Sequence, residues 1–230
     1  MYSEESLRRY MVLAHAYLNY YKGRPVEELR VHISKGNTKI GHAFNVSLLA
    51  GISCGNCTAC LKYCYDIKAC LRFPEVLKQR AENTALLILD RTEFFRQIRA
   101  FLSSYHGKHK FFRWHQSGEI MDIGYLSEMN RLARDFSDWT FWTYTKMYTI
   151  VNSYCDSLNG RDSIAKNLSI MFSAWDGVYC PNPYGFPEFV TIMKGAEAPS
   201  GMFRCVGNCD WCKEHHRGCI AGETTWNREH

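Results

Sequence analysis

The sequence predicts an α/β fold built on a parallel sheet, and two observations predict it. From Lys110 onward, strand-length apolar stretches alternate with helix-length amphipathic ones: "KFFRWH", "GYLSEMNRLARDF", "TFWTYT", "MYTIVNSYCDSL", "NLSIMFS" and "FPEFVTIM". The first three strands begin about 30 residues apart, the length of a βαβ unit, and such units wind into parallel sheets with right-handed crossovers. The second observation is that each of those three strands ends in polar, chemically capable residues. Sites in parallel β/α folds gather outside the carboxyl ends of the strands. Together the two predict an incomplete TIM-like barrel with a site on that edge.

The remaining elements follow in order. Ser3 is placed to cap a first helix, with Glu4 and Glu5 in its first turn. Leu7, Met11, Ala14, Leu18 and Tyr21 form its apolar stripe, and Gly23 ends it. "ELRVHIS" and "HAFNVSL" alternate apolar and polar residues around the turn-rich "KGNTKIG", which predicts a β-hairpin. After Cys64 the pattern is helical with a break near Pro74, since proline removes a backbone donor and clashes with the preceding turn. A further helix is expected over "RTEFFRQIRAFLSSYHG". The stretch "GAEAPSG" from Gly195 marks the predicted boundary between a β/α domain, residues 1–200, and a cysteine-rich module, residues 201–230.

Composition bounds the function. The chain has 230 residues, 46% hydrophobic and 22% charged, with a formal net charge of +5. That is a globular composition, mildly basic, which allows an anionic partner without requiring one. The early acids and missing apolar core of "MYSEESLRRYMVLAH" do not fit a signal peptide, and no apolar run approaches the roughly 18 residues of a spanning helix. These features predict a cytoplasmic protein with no membrane partner. Eleven cysteines in a reducing compartment then point away from disulfides. Cys70, Cys155 and Cys180 are scattered and read as small buried apolar residues.

The other eight cysteines are clustered and read as metal or iron–sulfur ligands. Cys54, Cys57, Cys60 and Cys64 follow C-x2-C-x2-C-x3-C, ferredoxin-type spacing with Tyr65 in place of the usual proline. Structural zinc takes paired knuckles from separated segments, so one loop with short gaps favours a 4Fe–4S cluster. Cys205, Cys209, Cys212 and Cys219 form the second group, with His215 and His216 as alternative ligands; zinc and a cluster both fit that spacing.

The strand ends supply the candidate ligand-binding residues. The first gives His115, Gln116, Ser117, Gly118 and Glu119, the second Tyr144, Thr145 and Lys146, the third Ser173, Trp175 and Asp176. His115 reads equally as a satisfied structural histidine.

Two resemblances sharpen this. C-x3-C-x-aromatic-C, at Cys205–Cys212, is the spacing of radical S-adenosylmethionine enzymes, whose three cysteines leave one iron of a 4Fe–4S cluster open for the cofactor. In those enzymes the motif precedes a partial barrel, whereas here it follows one. The N-terminal loop is in the right place but has a different spacing, and "SGEI" from Ser117 resembles the stretch with which that superfamily holds the cofactor's amino group. The chain from Gly36 also resembles the gene product 88 family of phages and mobile elements, through "GNTKIG", Cys54, Cys60, Cys64–Tyr65, "FRWHQSGEI", "FWTYTK", "SAWDG" and the closing cysteines. That resemblance implies three ligands, Cys54, Cys60 and Cys64, with Cys57 outside the recurring set.

Two functions are therefore expected to compete. In the first, Cys54, Cys60 and Cys64 hold a 4Fe–4S cluster and Ser117, Gly118 and Glu119 receive S-adenosylmethionine. Tyr144, Lys146, Ser173 and Asp176 face an unknown substrate, an electron donor is required, and the C-terminal cysteines hold an auxiliary cluster or zinc. In the second, a metal-stapled, non-enzymatic protein binds nucleic acid through basic, aromatic stretches such as "YHGKHKFFRWH". A plain electron carrier fits less well, because it has no use for a β/α body with polar strand ends.

Overall fold

The computed structural model describes residues 3–55, 60–175, 178–193 and 195–228. Among them are seven α-helices and eight strands, joined in one mostly parallel sheet: β1 (Ile33–Ser34), β2 (Phe44–Val46), β3 (Phe111–Trp114), β4 (Thr140–Thr145), β5 (Leu168–Trp175), β6 (Glu188–Ile192), β8 (Thr225–Arg228) and β7 (Phe203–Arg204), in that spatial order. The pairs β3–β4, β4–β5, β5–β6, β6–β8 and β7–β8 are all parallel. The mixed α/β class and its parallel core are as the sequence predicts. No helix among the described residues is long and apolar enough to cross a membrane.

The chain divides into two compact units. The first is residues 1–34, 46–107 and 115–118; the second is residues 35–45, 108–114 and 119–230. The segment 201–230, expected as an appendage, lies in the second unit and contributes β7 and β8 to the sheet.

The first unit is helical. Ser3 caps α1 (Glu4–Lys22) by accepting from the Ser6 N–H, and Gly23 closes it. The helix buries Tyr10, Ala14 and Leu18 against Leu49, Ala50, Ile67, Cys70 and the Leu77–Ala85 face of α3 (Pro74–Leu89). Pro74 opens α3 where its missing N–H leaves nothing unsatisfied, which separates it from α2 (Tyr65–Arg72). Asp90 caps α4 (Arg91–Ser104) through the Glu93 N–H. Asp90→Ala removes that cap and is expected to lower the unit's stability by about 1 kcal/mol, read from a urea transition followed by circular dichroism.

The second unit alternates strand and helix as the period predicts. Asp122 caps α5 (Ile123–Asp135), which leads to β4; α6 (Tyr148–Ser157) leads towards β5. The strands' two faces differ. Phe112, Phe141, Thr143, Thr145, Ile170 and Phe172 fall on one face by strand alternation and register, while Arg113, Trp142, Tyr144, Met171 and Ser173 fall on the other. Asn167 fixes the turn into β5 by donating to the carbonyls of Ala133, Phe136 and Trp139. On the second face, Ile40, Ala43, Trp142, Phe111, Tyr144, Cys209 and Ile220 pack together.

Candidate cofactor site

In the first unit the cysteine loop and the turn after β3 are bonded to each other. Cys60 opens the 3₁₀ turn Leu61–Tyr63, and Cys64 is the N-cap residue of α2. Tyr65 donates its hydroxyl to the Gln116 carbonyl. One residue on, Asp66 is buried and accepts from the Ser117 hydroxyl at 2.6 Å. The same hydroxyl lies 2.6 Å from the Leu48 carbonyl, and the Leu48 N–H donates to the Ser117 carbonyl at 2.9 Å. A hydroxyl has one proton, so it donates to one of the two oxygens at a time. Asp66 also meets Arg80 at 3.4 Å and Cys70 at 3.7 Å. Burial pushes the Cys64 thiol up to about 12, with the charges of Asp66 and Cys54 adding to the shift.

The backbone of that turn is unusual. His115 is buried with φ +57°, and its N–H donates to the Val46 carbonyl at 2.9 Å. Gly118 has φ +91°, and a Cβ there would stand 2.7 Å from Leu48 Cβ and 2.9 Å from Ser53 Oγ. Two left-handed residues in four is the kind of backbone that collects at functional sites. Gly118→Ala therefore meets both strain and a clash. It is expected to destabilise the protein by about 2–3 kcal/mol, visible as a lower urea midpoint at unchanged slope.

In the second unit Glu119 is buried at the carboxyl edge of the sheet. One oxygen accepts from the Thr145 hydroxyl at 2.7 Å and the other from the Lys146 N–H at 3.1 Å. The Lys146 ammonium lies 5.7 Å from the centre of the Trp175 ring, whose N–H donates to Ser173 Oγ at 3.3 Å. Tyr148 donates its hydroxyl to the Ser173 carbonyl, and burial raises its pKa. The ends of β4 and β5 thus bring Glu119, Lys146 and Ser173 into one bonded group. Asp176, expected beside them, lies outside the described residues, as does Cys57.

Tyr144 is not part of that group. It lies further from the strand end, where Arg113 is 4.8 Å from its ring centre and its hydroxyl bonds Cys219. Its pKa is raised well above normal by burial, then by the neighbouring Cys219. Cys209 and Cys219 lie beside it. Burial pushes Cys209 up to about 12 and Cys219 up to about 11, and Cys205 and Cys212 add charge repulsion to both. The thiols are close enough to feel each other's charge. Among the described residues, however, no three histidine, cysteine or carboxylate side chains converge closely enough to hold a single metal ion.

Sequence reasoning missed Asp66 and Arg80. Asp66 follows the last cysteine of the first cluster by two residues, and an acid inside an otherwise apolar helix face was the available signal. Thr145 was legible as a polar residue at a strand end, but its partner was not, because that carboxylate lies 26 residues earlier in the chain.

These features define a class: a mixed α/β protein whose parallel sheet keeps a buried, hydrogen-bonded carboxylate at its carboxyl edge. Within that class the chain belongs to the gene product 88 family, which residues 24–186 match. It is 33% identical over 156 residues to the Gene 88 protein of Mycobacterium phage D29, and 30% identical over 156 residues to the Gene 88 protein of Mycobacterium phage L5. Each match covers 63% of this chain and 62% of the relative, less than two thirds of that protein's length. The family match includes the first cysteine loop and the strand ends and stops before Cys205. No solved structure matches the chain.

Proposed function

We propose that this protein is an iron–sulfur enzyme of the radical S-adenosylmethionine type, acting on a substrate still to be identified. One observation carries the reading. The Ser117 hydroxyl bridges Leu48 and Asp66, so the turn that resembles the superfamily's cofactor-binding stretch is clamped to the helix that Cys64 begins. The clamp keeps a strand end and a cysteine loop, far apart in sequence, side by side, as a ligand shared by both requires.

The residues present fit a 4Fe–4S cluster by their chemistry. Three thiols, Cys54, Cys60 and Cys64, lie along one loop, and a cubane spreads its ligands farther apart than one ion does. Arg80 is buried beside Asp66, and its Nε and Nη1 make no hydrogen bond among the described residues. A buried guanidinium with two donors unspent suits an anionic group bound nearby. When bound, the cluster would supply the electron that cleaves the sulfonium of S-adenosylmethionine.

The chain's own residues then have separate tasks. Gly118 lets backbone approach a ligand where a side chain could not fit. Glu119, next in the chain, presents a carboxylate for an ammonium, and the Thr145 hydroxyl and Lys146 N–H fix its orientation. Lys146 and Ser173, with Asp176, take the substrate side. Tyr144 would act beside the C-terminal cysteines, which would hold an auxiliary cluster or zinc.

The test is anaerobic purification followed by metal, sulfide and visible-absorption measurements. A brown protein with equal iron and acid-labile sulfide, at least one cubane per chain, is expected. A colourless protein containing zinc and no iron sinks the reading.

A further inference from the structure

A cavity of about 190 Å³ opens at the other edge of the sheet, among the amino ends of β4 and β5 and the segment after α7 (Cys209–Glu214). Thr140, Lys166, Asn167, Ser169, Lys213 and His216 supply its polar lining, and no carboxylate lines it. Its location and chemistry are independent of the cysteine loop and of Glu119.

The charges there are unbalanced. Lys213 is half-buried; its ammonium donates to Thr140 Oγ1 at 2.6 Å and lies 4.4 Å from the centre of the Phe111 ring. Neither it nor Lys166 has a carboxylate partner among the described residues. The contrast is close by. Arg217 is neutralised by Glu223 through a two-pronged contact at 2.9 and 3.0 Å, and the Glu223 carboxylate also accepts from the Gly218 N–H. Arg217, which does not line the cavity, is paired with a carboxylate, whereas Lys213, which does, is not.

The lining is also held in place. Asn167 is anchored by its three carbonyls, and Ser169 donates to the Cys219 carbonyl at 2.7 Å. His216 has φ +49°, a left-handed conformation that histidine adopts more readily than most residues. Thr140 accepts from Lys213 and keeps its own proton to donate, and a hydroxyl donor beside ammonium groups without a carboxylate partner in a concave site suits a tetrahedral oxyanion.

We propose that this cavity binds phosphate, with Lys166 and Lys213 as its charged donors. The group could be a free phosphate or nucleotide, or a phosphodiester of a nucleic-acid backbone, and the same chemistry recognises each.

The test uses two probes at low salt: inorganic phosphate followed by calorimetry, and a short fluorescein-labelled single-stranded DNA followed by anisotropy. Wild type is compared with Lys166→Ala and with Lys166→Ala/Lys213→Met, the methionine keeping the stem against Phe111. Binding of at least one probe is expected, weakened by about tenfold or more for each lysine lost. DNA binding that phosphate displaces, and whose salt slope falls by about one per lysine, assigns the site to a polynucleotide backbone. Phosphate binding without DNA binding assigns it to a free phosphate or nucleotide. If neither probe binds wild type, or each binds exposed-site Lys166→Ala as tightly as wild type, the proposal is overturned. Lys166 is exposed, so that single variant keeps its fold even if the double one does not.

Discussion

Cys60→Ala is expected to remove most of the iron from the anaerobically purified protein, whereas Cys57→Ala leaves iron content nearly unchanged. The difference follows from the ligand set of the proposed cluster, Cys54, Cys60 and Cys64. A lost thiolate there leaves an iron facing water and oxygen, and the cubane is then lost as a whole. Cys60 is also the residue from which the turn Leu61–Tyr63 starts, with the Tyr63 N–H donating to its carbonyl at 3.0 Å. That bond is backbone and survives the substitution, so a loss of iron reports the thiol and not a collapsed loop. Iron and sulfide assays on both variants, with the cluster's visible absorption, decide the matter. Equal loss in the two variants makes the closed, four-cysteine ferredoxin-type site the better description. Equal retention removes Cys60 from the ligand set.

What could be read from the sequence was what local periodicity governs. Ser3 and Gly23 frame α1, Pro74 starts α3, and the alternation from Phe111 to Trp175 gives three strands and two helices close to their observed bounds. Tyr10, in the core against Ala50, escaped the predicted stripe because an amphipathic tyrosine can face either way; its hydroxyl finds the Ala50 carbonyl at 2.9 Å. The strand ends named stretches of chain that do lie at the ends of β3, β4 and β5, but not which way each side chain turns. Tyr144 and Lys146 sit two residues apart, yet Tyr144 packs with Arg113 and the C-terminal cysteines while Lys146 reaches Trp175. The place of β7 and β8 in the sheet was hidden by their shortness: two and four residues carry too little alternation to stand out beside four cysteines. Asp66 was hidden for a different reason, since only the fold brings it to Ser117, 51 residues away.

Glu119→Gln is expected to weaken binding of S-adenosylmethionine by about one to two orders of magnitude, because a charge-assisted hydrogen bond to an ammonium contributes roughly 1.5–3 kcal/mol. The structure sharpens what the substitution does besides. Glu119 accepts from the Thr145 hydroxyl and the Lys146 N–H. A glutamine keeps one acceptor oxygen and turns an N–H₂ towards the other donor, so some stability is lost whatever the ligand. Thr145→Val separates the two effects. It removes the hydroxyl that orients Glu119 but leaves the carboxylate's charge in place. If Glu119 binds the ammonium, Thr145→Val should weaken S-adenosylmethionine binding less than Glu119→Gln at a similar loss of stability. If Glu119 only ties the end of β3 to the end of β4, both variants lose stability and neither changes binding. Calorimetric titration of the reconstituted protein, paired with urea transitions, gives both quantities. Wild-type protein that fails to bind S-adenosylmethionine at millimolar concentration would remove the ligand from the proposal, and Glu119 would then be a structural acid joining two strand ends.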